Sequence, residues 1–265
     1  MPVVNVSALA DHVAVPRRRK LVGSLVSACA AFLMCAPVAG AAFFRTSVEL
    51  FNPQAHRRIP LRVYRAGPRR PLAVLLPGVG AQPGDYSFLA KYLARRGFAV
   101  AELQLELPGD PSIATSGNVA ALRAPELRSG VNSLQYAIRE LKRLRYASTR
   151  PPAVLIGHSN GADVAMLYET ERPGQVSMIF SLDNLRVPIP RTSDPHICSL
   201  RSDDEVPDAD VLPDDEQRVR FNIQIQHARI HHDRMWNGAT LAEKRVILRA
   251  LDRCLKDRRR ARWGT

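Results

Sequence analysis

Nearly unbroken apolar runs alternate along this chain with stretches whose apolar positions fall three and four residues apart. PLAVLLPG (71–78) and AVLIGH (153–158) read as strands buried on both faces, since a strand with one wet face would alternate polar and apolar residues. YSFLAKYLARRG (86–97) reads as an amphipathic helix. So does the stretch from about Ala124 to Arg145, where Leu127, Val131, Leu134, Ile138 and Leu141 form one stripe. FAVAELQLEL (98–107), VSMIFSLDN (176–184), HICSLR (196–201) and FNIQIQ (221–226) supply further strands. Two more helices are expected, from about Gly161 to Glu171 and from about Thr240 to Arg259, the latter striped by Leu241, Val246, Leu248, Leu251 and Leu255. VELFNP and RIPLRVYRA, separated by a polar turn, read as an antiparallel opening pair. Strands alternating with helices predict the α/β class: a doubly wound, mostly parallel sheet with helices on both faces. No linker divides the pattern, so one domain is expected over 42–265.

Composition excludes several alternatives. At 265 residues, 46% hydrophobic and 24% charged, the chain is neither fibrous, low-complexity nor a disulfide scaffold. Its net charge of +13 is dispersed, which fits solubility better than a nucleic-acid groove, and no nucleic-acid partner is expected. The basic end, with Arg258, Arg259, Arg260, Arg262 and Trp263, offers at most weak contact with an anionic surface. Oligomeric state is not written in the sequence.

The N-terminus reads as an export address. Arg17 to Lys20 precede an uncharged run from Leu21 to Phe44, and the small residues Ala39, Gly40 and Ala41 supply a cleavage site. A signal peptide over 1–41 is therefore expected, giving a periplasmic or secreted protein. The run is also long enough to serve as an uncleaved membrane anchor. Cleavage would leave two cysteines, Cys198 and Cys254, whose pairing depends on their separation in the fold.

One pentapeptide points to chemistry. Gly157-His158-Ser159-Asn160-Gly161 is a G-x-S-x-G set directly between an apolar strand and a helix. That context bends the chain sharply, lifts the Ser159 hydroxyl clear of the sheet and aims helix amides at it. Glycines flank the serine because a Cβ there would strike the neighbouring strand or helix. Serine needs a base, and the base needs an orienting acid, in the chain order Ser, Asp/Glu, His. Both follow strand ends: Asp203 and Asp204 after HICSLR, His231 and His232 after FNIQIQ. Asp204 is favoured over Asp203, being further along the turn; Asp183, ending the preceding strand, is the remaining candidate. Two main-chain N–H groups must receive the developing negative oxygen, and the expected donors are Asn160 and Val79, the latter in the Pro77-Gly78-Val79-Gly80 loop.

From about Leu72 to Leu255 the chain resembles the α/β-hydrolase superfamily, on LLPGVG, GHSNGA, an acid after the next-but-one strand and a late histidine. PGVGAQPGDYSFLAKYLARRGFAVAELQ is similar to the dienelactone-hydrolase, platelet-activating-factor acetylhydrolase-like and cutinase-like polyester-hydrolase branches. The resemblance implies that the residues after Pro-Gly and after the serine, here Val79 and Asn160, are the oxyanion donors. It also favours His231 over His232, because His-x-Asp resembles a common form of that loop with the first residue as base. Asn160 departs from the Met, Phe or Gln of many relatives, which changes the acyl-pocket wall but not the main-chain donor.

The expected activity is a serine hydrolase acting on a carboxylic ester through Ser159, His231 and Asp204. A peptidase or amidase on the same triad, or a non-catalytic binding protein with this fold, are the alternatives. About ten residues separate SLDN from HICSLR, too few for a large cap domain, so the site should be open to small or surface-presented esters. No cofactor is expected. His227 and His231 have zinc-ligand spacing, but they fall at a strand end and no Glu follows His227, so no metal is expected either.

Overall fold

The computed structural model describes residues 5–7, 43–65, 67–150 and 152–263, the side chains of 5–7 and 259–263 excepted. The predicted signal segment falls almost entirely outside these residues. In chain order the described elements are β1 (Asn5–Ser7), β2 (Phe44–Asn52), β3 (Arg57–Arg65), β4 (Leu72–Leu76), α1 (Ser87–Arg95), β5 (Ala99–Leu103) and α2 (Val119–Arg143). There follow β6 (Ala153–His158), α3 (Asn160–Glu171), β7 (Val176–Leu182), β8 (His196–Arg201), α4 (Asp215–Arg220), β9 (Gln224–His227) and α5 (Leu241–Trp263).

These strands form one sheet in the order β1-β2-β3-β5-β4-β6-β7-β8-β9. From β5 to β9 every neighbouring pair is parallel, while β1, β2 and β3 form an antiparallel flank. Strands β4, β6, β7 and β8 are buried at every position, which is why their sequences show no alternation. One core layer packs α2 and α3 on one face, through residues such as Leu134, Leu141 and Val164. The other packs α1 and α5 through Leu89, Leu93, Ile247 and Leu251. The chain leaves β4 toward β5 on one side and returns to β6 on the other, opening a crevice at the carboxyl ends of the strands.

Three local differences from the expected elements have physical causes. Helix α2 starts at Val119 because the Asn118 side chain accepts from the Ala121 N–H and caps it, and the helix then runs through Pro125 at the cost of one backbone bond. Helix α4 was not expected; Asp214 and Gln217 form a capping box that nucleates a short, fully surface-lying helix with no apolar stripe. In α5 the buried stripe is Ile247, Ala250, Leu251, Cys254 and Leu255, whereas Leu241 and Val246 face solvent. Cys198 of β8 and Cys254 of α5 form a disulfide, their Cα atoms 6.1 Å apart. No helix among the described residues is long and apolar enough to cross a membrane.

Candidate active site

Ser159 occupies the bend between β6 and α3 with φ 51° and ψ −124°, a strained conformation for a side-chain-bearing residue. The strain is held from several sides. The Ser159 N–H donates to the Leu182 carbonyl at 2.8 Å, and its own carbonyl accepts from Ala162 and Asp163. A Cβ on Gly157 would lie 2.4 Å from Ala162 Cα, and one on Gly161 would lie 2.2 Å from the Leu76 carbonyl oxygen, so glycine alone fits either position. The hydroxyl therefore stands at the amino end of α3, where the helix dipole favours negative charge.

The imidazole at that hydroxyl belongs to His232, not His231. His232 Nε2 is 2.9 Å from Ser159 Oγ, and Nδ1 is 2.7 Å from Asp183 Oδ2. A carboxylate only accepts, so Nδ1 carries the proton and Nε2 is free to accept from the serine. His231 instead points outward, its side chain 70% exposed, with Nδ1 3.0 Å from Asp204 Oδ2. The cause is backbone geometry. His231 is the last extended residue (φ −63°, ψ 146°) before the 3₁₀ turn His232–Arg234, and where the chain changes direction the two side chains diverge, His232 inward and His231 to solvent.

The acid follows the same logic. Asp183 ends β7, the immediate neighbour of β6 that carries the serine, whereas Asp203 and Asp204 follow β8, one strand further out. Both of the latter are exposed; Asp183 is completely buried. Asp204 still serves the loop, since its Oδ1 accepts from the His232 main-chain N–H at 2.7 Å. Burial would raise the Asp183 carboxyl, but the bonds from His232, the Arg201 charge and Ser202 outweigh it and hold the group below the usual carboxylate range. For His232, burial pulls the pKa down while Asp183, by hydrogen bond and charge, pulls harder and leaves it raised.

Around this trio lies a network that the sequence did not reveal. His158 Nε2 sits 3.1 Å from the His232 carbonyl oxygen and must donate to it, so Nδ1 accepts from the Tyr86 hydroxyl at 2.6 Å. That hydroxyl in turn accepts from the Gly78 N–H at 3.2 Å. Burial, with the His232 imidazole beside it, pushes the His158 pKa down to about 3, so the ring stays neutral and keeps this tautomer. One bonded chain thus joins the Gly78 loop to the backbone of His232. Val79, next in that loop, is 46% exposed, and Asn160 opens α3. Among the described residues neither main-chain N–H is engaged by another group of the protein. Glu106 accepts from the Gly80 N–H, and Asp110 pairs with Arg57, which gives both loop acids structural partners.

Comparison with known proteins adds the fold. No protein-family model matches the chain, and no curated protein matches it in sequence. Solved structures do match in shape. A ferulic acid esterase from Streptomyces cinnamoneus is 17% identical with a TM-score of 0.53, covering 73% of this chain and 74% of its own. Fungal esterases from Rhizomucor miehei superpose with a TM-score of 0.60 over 86% of each chain at 11% identity. A dienelactone hydrolase-like promiscuous phosphotriesterase from metagenomic libraries gives 0.52 at 12% identity, over 80% of this chain and 96% of its own. The chain has the α/β-hydrolase fold. Within this sheet the acid bonded to the inward histidine stands one strand earlier than the resemblance implied. A signal for this was present: SLDN puts a carboxylate directly at the end of a strand buried on both faces, where an acid requires partners. The string SDDEVPDAD is polar throughout, as solvated loops are.

Proposed function

We propose that this chain is an exported serine hydrolase that cleaves a carboxylic ester. The observation that carries the reading is the run Ser159–His232–Asp183, with distances of 2.9 and 2.7 Å, ending on a fully buried carboxylate at a strained elbow. Ser159 attacks the ester carbonyl while His232 Nε2 takes its proton. Asp183 keeps the imidazole in the required tautomer and stabilises the imidazolium. Val79 and Asn160 N–H groups receive the oxyanion. His232 then protonates the departing alcohol, and the acyl-enzyme yields to water activated by the same ring. Esterases among the structures of similar fold favour an ester over an amide, as does the smaller demand for leaving-group protonation. The segment 185–195 contains no helix, which supports an open site for short or surface-presented acyl groups. Export rests on the basic-then-apolar N-terminus and is supported by the buried disulfide, which persists in oxidising compartments. On this reading cleavage after Ala41 removes the three-residue edge strand β1 and leaves β2 whole.

The test is turnover of p-nitrophenyl esters from acetate to palmitate with an aminoacyl anilide alongside. Short esters are expected to be cleaved fastest, and Ser159→Ala to lower kcat/KM at least about a thousandfold. Preference for the anilide would make the protein an amidase; no turnover by folded wild type would remove the proposal.

A further inference from the structure

Among the described residues Arg201 is the largest fully buried side chain, and it lies against the carboxylate of Asp183. Its Nη2 forms an ion pair with Asp183 Oδ1 at 2.7 Å, and its Nη1 donates to the Asn184 carbonyl at 2.7 Å. A guanidinium buried to 2% exposure costs several kcal/mol in desolvation, so its retention beside one carboxylate asks for a role. Asp183 itself needs holding. Its φ of 60° is unfavourable for a residue with a Cβ, and the turn after it is tied down by Asp163, whose Oδ1 accepts from the N–H groups of Leu185, Arg186 and Val187. Arg201 grips the same turn from the β8 side, on the side chain of Asp183 and the backbone of Asn184 at once.

We infer that Arg201 is a positioning residue that aims the Asp183 carboxylate at His232 and, by sharing its negative charge, limits how strongly His232 holds a proton. This rests on the proposed roles of Ser159, His232 and Asp183. Four groups converge on that carboxylate: the permanent guanidinium and the Ser202 N–H (3.2 Å) on Oδ1, and the imidazole and the Ser202 hydroxyl (2.6 Å) on Oδ2. Without the guanidinium the carboxylate would stabilise imidazolium more, and the base would stay protonated, hence idle, to higher pH. The other charged or titratable groups facing His232 do not supply this counterweight. Asp204, Glu205 and Asp233 are anionic, and the His158 ring 4.8 Å away is neutral. Facing Arg201 are Asp183 and the buried Asp163.

The experiment compares Arg201→Gln and Arg201→Lys with wild type on a p-nitrophenyl ester, each rate divided by the sites titrated with a fluorophosphonate. Glutamine removes the charge and is expected to raise the acid limb of kcat/KM by about one pH unit. Lysine keeps the charge but not the two-point grip; it is expected to hold the wild-type limb while kcat per titrated site falls about tenfold at unchanged KM. A purely structural role would change the number of titrated sites and neither of these readouts. A glutamine protein with the wild-type limb, or a lysine protein with wild-type kcat per site, overturns the inference; should glutamine not fold, the lysine result decides alone. Failure of wild type to label at Ser159 would instead remove the proposed function and this role with it.

Discussion

On the proposed mechanism His232 accepts the serine proton only when neutral, and Asp183 raises its pKa above the ordinary histidine value of 6.5. Below that pKa the ring is charged, Nε2 is already protonated and Ser159 has no base. Activity is therefore expected to fall as pH drops through a single inflection above 6.5, measured as kcat/KM on a p-nitrophenyl ester. The neighbouring pair His231–Asp204 titrates at the surface, and an inflection that disappears in His231→Ala would contradict this assignment. At this scale the sequence was informative about the serine, whose flanking glycines and neighbouring elements are local. It was ambiguous about partners. Whether residue 231 or 232 faces inward depends on where the extended chain gives way to the 3₁₀ turn, and the string HARIHHDR does not mark that point. Asp183 against Asp204 depends on which strand lies next to β6, which no local string states.

The elbow is the element on which the site depends, and steric contact maintains it. Alanine at 161 would push a methyl to 2.2 Å from Leu76 O, a backbone atom that cannot swing away. Gly161→Ala is expected to cost at least about 2 kcal/mol, read in chemical denaturation, and to abolish turnover. Gly80 has φ 75° but open space around it, so Gly80→Ala is expected to cost only about 1 kcal/mol. Equal losses for both would contradict the steric account. Buried strands such as AVLIGH and VSMIFSL were legible because their apolar runs admit few other structures. Helix α4 was not, since a six-residue helix held by its cap carries no periodicity. The Tyr86–His158 link was also hidden, because it joins residues 72 positions apart through tertiary packing.

At the largest scale, a series of parallel crossovers brings the ends of β4, β6 and β7 and the loop after β9 to one crevice. The alternation of strands and helices made that architecture readable, while the sheet order and the reach of the last loop arose only on folding. Helix α5 is fixed to β8 by Cys198–Cys254, closing a loop of 56 residues. Cys254→Ser is expected to lower stability by about 2–4 kcal/mol under oxidising conditions, and reductant to lower wild type to the same level. An unchanged midpoint would show that packing of α5 alone suffices. The proposed chemistry turns on one imidazole serving one hydroxyl. The direct measurement is the rate at which a fluorophosphonate labels Ser159, followed by peptide mapping, in wild type, His231→Ala and His232→Ala. Labelling is expected to remain within a few-fold of wild type in His231→Ala and to slow at least about a thousandfold in His232→Ala. The reverse order, or equal labelling of both variants, would contradict it.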